Sequence, residues 1–295
     1  MMAKTLYGFE PILAKELRNL GASNVEEGVR NVSFEGDTGF MYKANVCLRT
    51  ALRVFRPIKT FRVFNEKDLY RHIYELDWPG IFDVEKTFAI DSVTSTKVFD
   101  NSMFVSLKAK DAIVDKFREI VRERPNVKTQ DPDIRINIHI YNNTCTVSLD
   151  SSGNSLHQRG YRILTNIAPI NEVLAAGLLL KTGWDGQSNF FDPMCGSGTF
   201  LIEAAMIACN IPANINRESY AFMHWKDYDA DLYSKIVDAS LKKVREFNYK
   251  IIGYDKAPSA VRKAQENVDH ANLSDYITVE RKDFFRVDKP LEGKL

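Results

Sequence analysis

The sequence predicts an α/β protein in which two small α+β units precede a parallel-sheet domain, and three observations carry that reading. Over residues 1–150, helical periods mix with two-residue alternation and end in an antiparallel hairpin, the pattern of small α+β units. From residue 167, strand-like runs at 189–192, 250–254 and 276–280 alternate with helical stretches, the signature of a parallel sheet. The first of these runs passes into Asp192-Pro193-Met194-Cys195-Gly196-Ser197-Gly198-Thr199, a turn with two glycines and two hydroxyls that opens an apolar helix. At 295 residues the chain exceeds what one compact core usually holds, so two or three domains are expected.

The elements follow in order. Apolar side chains at 9, 12, 13, 17 and 20 share one helical face over residues 8–20, and Gly21 stands where a C-terminal cap belongs. From Asn24-Val25 the pattern alternates through Val29, Val32 and Phe34 as a pair of short strands, and residues 37–46 turn helical again. Residues 51–64 read as strand, 66–76 as helix, 87–95 as strand and 104–122 as amphipathic helix. In 133–150, Ile134, Ile136, Ile138 and Ile140 face one way, Asn142-Asn143 makes the turn, and Thr146–Leu149 returns. Ser151-Ser152-Gly153-Asn154-Ser155 cannot hold regular structure and marks a hinge over 151–166. Ala168-Pro169-Ile170-Asn171-Glu172 then opens a strongly apolar helix.

Composition excludes several classes. A hydrophobic content of 44% and a charged content of 27% exclude disorder, and no apolar run reaches the roughly 18 residues of a membrane span. The start lacks a signal-peptide core, so a cytoplasmic location and no membrane partner are expected. Four scattered cysteines (Cys47, Cys145, Cys195, Cys209) make neither a zinc site nor a disulfide framework; reduced thiols and no metal are expected. With a net charge of +1, contact with nucleic acid has to come from a local patch.

Glycines at 196 and 198 let the backbone turn sharply and approach a ligand, while the helix starting near Thr199 offers unpaired N–H groups and its positive dipole end. By itself such a turn is also a purely structural strand-to-helix connection. Its context points to a ligand. Tyr254-Asp255 ends the run Ile251-Ile252-Gly253, where an acid holds a ribose diol in nucleotide-binding α/β folds. The run Ile277–Glu280 leads to Lys282-Asp283-Phe284, so three successive strand ends direct polar groups at one crevice. The spacing fits neither G-x-G-x-x-G, with its acid about twenty residues on, nor the phosphate loop with its lysine. An adenosine-bearing ligand without pyrophosphate remains, which suits S-adenosyl-L-methionine. Asp192, Pro193, Cys195, Gly196, Ser197, Gly198 and Thr199 would lie by its methionine moiety, Asp255 by the ribose, and Asp283 with Phe284 by the adenine.

"SGNSLHQRGYR" (152–162), "APINE" (168–172) and "DPMCGSGTFLIEAA" (192–205) resemble the THUMP-domain-containing class I RNA methyltransferases, nearest to bacterial enzymes acting on the guanine N2 amine of 23S rRNA. "KDAIVDKFRE" (110–119) and "PDIRINIHI" (132–140) are similar to the THUMP portion, and Phe222-Met223-His224-Trp225 to an insertion of the large-subunit rRNA branch. The resemblance implies a ferredoxin-like unit over 1–50, a THUMP RNA-binding domain over 51–150, the hinge, and a Rossmann-like methyltransferase domain, incomplete, over 167–295. It also implies an N-P-P-Tyr or D-P-P-Tyr segment, which these residues lack. The sequence stops at Gly293-Lys294-Leu295, about where a fourth strand should begin. The expectation is a part of a longer chain, binding cofactor weakly and without turnover, its catalytic residues unassigned and its oligomeric state open.

Candidate RNA contacts are Lys110, Arg118 and Arg122, from a basic run interleaved with acids that also reads as a salt-bridged helix face. Arg159 and Arg162 flank Tyr161 and combine charge with a stacking surface, although a solvated hinge around one buried aromatic has the same composition. His157 is read as hinge packing rather than a base, Cys195 as loop packing rather than a nucleophile, Glu203 as a loop anchor, and Trp184 and Trp225 as core or insertion anchors. Two rival functions stay open: an adenine-N6 DNA methylase, which shares the amine chemistry, and a non-catalytic RNA-binding module.

Overall fold

The computed structural model describes residues 1–96, 98–165 and 168–287. The chain opens with β1 (Met2–Lys4), a strand too short to show a period in the sequence. α1 (Glu10–Leu20) carries Pro11 in its first turn, where no N–H is needed, and stops at Gly21. A φ of 103° lets the Gly21 and Ala22 amides reach the Arg18 and Leu17 carbonyls, each at 3.0 Å. The expected strand pair is β2 (Ser23–Glu27) and β3 (Asn31–Glu35), with Val29 exposed in the turn between them. α2 (Thr38–Cys47) begins where the Asp37 carboxylate accepts from the Phe40 amide at 2.7 Å.

β4 (Arg53–Arg62), α3 (Glu66–Tyr74), the single-turn α4 (Trp78–Ile81), β5 (Phe88–Ser95) and α5 (Ser102–Ile120) follow. In β6 (Ile134–Tyr141) the four alternate isoleucines are fully buried, and Asn142 at φ 51° turns the chain into β7 (Thr144–Asp150). The rest comprises α6 (Glu172–Lys181), β8 (Phe190–Asp192), α7 (Thr199–Ala208), α8 (Ala230–Leu241), β9 (Ile251–Asp255), α9 (Pro258–His270) and β10 (Ile277–Arg281). No helix among the described residues is long and apolar enough to cross a membrane.

The chain divides into two compact units that interleave along the sequence. The first takes Met1–Ala3, Arg53–Ser155 and Ser219–Ala230. Its strands run in the order β1-β4-β7-β6-β5, with β7 antiparallel to both neighbours and β5 parallel to β6. Trp78, Phe82, Phe88 and Phe117 fill its core, the rings of Phe82 and Phe117 lying 5.0 Å apart. Segment 219–230 docks here: the Arg56 guanidinium stacks 4.2 Å from the Trp225 ring and reaches Asp227 at 2.6 Å. The first hinge residues are irregular, as expected, but Ser151 and Ser152 are fully buried. Ser151 N and Oγ donate to the Val54 carbonyl at 2.9 and 2.7 Å, and Val54 N donates to Ser152 Oγ at 2.9 Å. The hydroxyls thus satisfy buried backbone that a loop in water would not need to pair.

The second unit takes Lys4–Leu52, Leu156–Glu218 and the chain from Asp231 onward. Its parallel sheet runs β10-β9-β8, packed on Leu201, Ile202, Ala205, Val261, Ala264 and Val268 of α7 and α9. β8 and β9 pair Asp192 with Gly253, and β9 and β10 pair Asp255 with Arg281, which fixes the three strand ends at one edge. The fit is close enough that a Cβ on Gly253 would lie 2.4 Å from Leu201 and 3.1 Å from Cys195.

Candidate functional site

The carboxyl edge of the three-stranded sheet gathers the loop and the acids that the sequence singled out. Gly196 and Gly198 adopt φ of 55° and 84°, in the left-handed region that only glycine enters freely, so the chain reverses between β8 and α7. The Asp255 carboxylate ties the loop to β9: it accepts from Gly196 N at 3.1 Å and from Ala257 N at 2.9 Å. Asp192 accepts from Met194 N at 3.0 Å. Burial holds the Asp192 carboxyl above the usual carboxylate range against the Met194 amide, and the negative charge of Asp255 adds to the rise. A cation beside Asp192 would relieve both costs.

Most loop amides are spent internally, contrary to the expectation that they face a ligand. Those of Met194, Cys195, Gly196 and Gly198 donate to Asp192, the Tyr254 carbonyl, Asp255 and the Cys195 carbonyl, and Pro193 has none. The amides of Ser197 and Thr199 find no acceptor among the described residues, so the helix N-terminus keeps the open donors expected of it. Cys195 is buried against Gly253, its thiol pushed up to about 12 by burial and then by Asp192 and Asp255, as suits packing and not a nucleophile. Asp283 lies just past β10 and caps a short 3-10 turn by accepting from Phe285 N at 3.1 Å, while Phe284 stays 43% exposed beside it. Asp192 and Asp255 are therefore brought together, with Asp283 on the neighbouring strand end.

One residue the sequence did not single out, Asn267, holds the loop. The buried Asn267 of α9 accepts from the amides of Ile163 and Leu164 at 3.0 Å each and donates to the carbonyls of Leu164 at 2.9 Å and Ser197 at 3.0 Å. It stands on the apolar stripe formed by Ala260, Val261, Ala264 and Val268, and a polar residue on such a stripe is the signal that marks it. The Tyr254 ring, next to Asp255 in sequence, carries the Lys282 ammonium 4.6 Å from its centroid.

Arg159 and Arg162 are turned inward instead of lying exposed as the expected RNA contacts would. Arg159 is 1% exposed; its guanidinium meets Glu203 at 3.3 Å and donates to the carbonyls of Leu48, Leu156 and Arg49 and to Asn214. Glu203 also accepts from the Tyr161 hydroxyl at 3.0 Å, which anchors this segment to α7. Arg162 pairs with Glu172 at 3.2 Å and donates to the Ile170 carbonyl and to Thr199 Oγ1, at 2.9 and 2.8 Å. Desolvated charge needs such complete partnering, and these arginines find it inside the second unit. Arg162 thus ties the Thr199 end of the loop to Glu172, and Arg159 ties its segment to α7.

In the first unit, Lys110 pairs with Asp111 at 2.8 Å and Arg118 with Asp115 at 3.3 Å on the exposed face of α5, and Arg122 follows at φ 68°. A groove beside them is lined by Lys108, Lys110, Arg118 and Arg124 against two carboxylates, with the Tyr70 ring among them. Among the described residues no three His, Cys, Asp or Glu side chains are grouped to hold a metal ion.

Known proteins share this arrangement. The RlmL ferredoxin-like domain model matches residues 1–55, the THUMP domain model 64–150, and the RMKL-like methyltransferase domain model 159–293. The chain is 39% identical over 288 residues to the ribosomal RNA large subunit methyltransferase K/L of Buchnera aphidicola subsp. Schizaphis graminum, covering 94% of this chain and 41% of that protein. It thus spans about two fifths of that curated relative. Among solved structures, a possible methylase from Clostridium difficile 630 superposes with a TM-score of 0.85 at 30% identity, over 99% of this chain and 77% of that one. SMU.472, a putative methyltransferase complexed with SAH, gives 0.85 at 29%, over 98% and 77%. A predicted N6-adenine-specific DNA methylase from Listeria monocytogenes gives 0.88 at 27%, over 98% and 76%. The chain belongs to the THUMP-domain-containing class I methyltransferases, with RlmL-type ferredoxin-like, THUMP and RMKL-like methyltransferase domains in that order.

Proposed function

We propose that this chain binds S-adenosyl-L-methionine at the strand-end crevice and serves methyl transfer to RNA, with the guanine N2 amine of 23S rRNA as the target. The observation that carries the reading is the pair Asp192 and Asp255 at the mouth of the left-handed Gly196–Gly198 turn. When bound, the cofactor supplies an electrophilic methyl group on a sulfonium. The residues present fit it: the crowded Asp192 carboxylate takes the ammonium, and Asp255, already fixed by two amides, keeps lone pairs for the ribose hydroxyls. Asp283 and the Phe284 ring take the adenine edge and face. The THUMP domain and the groove along α5 supply the RNA contacts, with Lys110 and Arg118 in its lining and Arg122 just past the end of α5.

The name of the Buchnera relative and the THUMP domain of this chain support rRNA over DNA, and a cytoplasmic setting accords with that substrate. The test is competition binding of a 23S rRNA fragment against duplex DNA of equal length at matched salt, together with calorimetry of S-adenosylhomocysteine. RNA preference and one cofactor site per chain are expected. DNA preference would favour the adenine-N6 reading.

A further inference from the structure

Away from the strand ends, the second unit holds a cavity of about 250 Å³ lined by α1, α2, α6, α7, α8 and their connections. Three cations line it: Lys43 of α2, Arg49 just after it, and Lys243 just after α8. None of the three forms an ion pair among the described residues. The carboxylate in the lining, Glu16, attracts Arg49 while its oxygens accept from the amides of Arg49 at 2.9 Å and Thr50 at 3.0 Å and from the Thr50 hydroxyl. Arg49 is 8% exposed and spends Nη2 on the Met206 and Ile211 carbonyls at 3.0 and 2.7 Å, while Nη1 is buried with no hydrogen-bond partner among the described residues. Lys43 Nζ donates to the Leu20 carbonyl at 2.5 Å, which leaves further N–H bonds to give.

Glu16, and Glu203 acting on Arg49, offset part of this positive charge, and the excess left in a concave, partly dry site is unfavourable until a further anion enters. Burial lowers the pKa of Lys43, and the charge of Lys243 lowers it further, so the two ammoniums act on each other across the cavity. A monovalent anion would neutralise one of three cations; a phosphate group, with several acceptor oxygens, answers all three. The apolar part of the lining, Leu20, Leu180, Ile207 and Pro212, suits a carbon skeleton attached to it.

We propose that this cavity is a second ligand site, sharing no lining residue with the strand-end crevice, that binds a phosphate-bearing organic molecule through Lys43, Arg49 and Lys243. The proposal stands independently of the cofactor reading. The probe is inorganic pyrophosphate, titrated into the full chain by calorimetry and thermal melting against sodium chloride of equal ionic strength. One site per chain is expected, with a Tm rise on the order of 3 °C at tenfold the Kd. Lys243→Gln leaves the Tm without pyrophosphate unchanged to within about 2 °C, because this ammonium makes no hydrogen bond or ion pair among the described residues, and weakens binding about tenfold. Lys43→Met weakens it by a similar factor, and Asp255→Asn, at the crevice, leaves it unchanged. No response beyond the salt control, full affinity in Lys243→Gln, or loss in Asp255→Asn would each overturn the proposal.

Discussion

Arg118 on α5 and Arg159 after the first unit's last strand carry the same guanidinium and do opposite work. Arg118 is 55% exposed by its side chain and leans on Asp115 one turn away, at 3.3 Å. Arg159 is fully buried by its side chain and holds Glu203, Asn214 and three carbonyls. In water an ion pair adds little, because solvent competes for both partners. Inside, each unmet donor carries its full desolvation cost, so the same group becomes a structural joint. An arginine's neighbours along the chain therefore do not decide its role; the solvent it keeps does.

The largest effect expected from this contrast is on stability. Arg159→Met should lower unfolding free energy by about 3–5 kcal/mol, since the buried Glu203 loses its ion-pair partner, whereas Arg118→Ala should stay within about 0.5 kcal/mol. Urea titrations of the two variants compare them directly, and equal losses would break the distinction.

Next comes Asn267→Ala, which strands two amides and two carbonyls and should cost about 2–4 kcal/mol. Asn267→Asp keeps the acceptor for Ile163 and Leu164 but loses the donor to Ser197, so it sharpens the point. It should weaken S-adenosylhomocysteine binding beyond what its loss of stability explains. A variant whose affinity stays at the parental value would show that the loop holds its shape without this tie.

Asp192→Asn should weaken S-adenosylhomocysteine binding by roughly tenfold to a hundredfold, the worth of a charge-assisted hydrogen bond of about 1.5–3 kcal/mol. Burial holds the folded pKa of Asp192 above its unfolded value, so the free chain loses this group's stability as pH rises through the raised value. Binding needs the carboxylate, so affinity should fall as pH drops through the same window, with proton release on binding there. Titrations in two buffers of different ionisation enthalpy detect that release, and its absence would remove Asp192 from the ammonium contact. The smallest effect belongs to the exposed charges: Arg118→Ala with Arg122→Ala should reduce the salt slope of RNA binding by roughly 1 to 2. An unchanged slope leaves α5 as a salt-bridged face.

Local physics made much of this legible beforehand. The β6–β7 hairpin, the stop at Gly21 and the convergence of Asp192 and Asp255 follow from period, cap chemistry and strand ends, all readable within a short window. Partners far along the chain were not readable. Glu203 lies beyond any window around Arg159, so "HQRGYR" reads as a solvated basic loop although its Arg159 and Tyr161 are buried. Segment 219–230 joins the first unit through Arg56 and Trp225, and residues 4–52 join the second, which no composition shift announces. Cys195, by contrast, was legible as packing because a residue between an acid and two glycines on a tight turn has little room to be anything else.

Calorimetry of S-adenosylhomocysteine with the parent chain and Asp255→Asn tests the central claim most directly, with Arg118→Ala as the control on the other unit. The account predicts one site per chain, weakened at least tenfold by Asp255→Asn and unchanged by Arg118→Ala. Binding that is absent at millimolar ligand, or that survives Asp255→Asn undiminished, would contradict it.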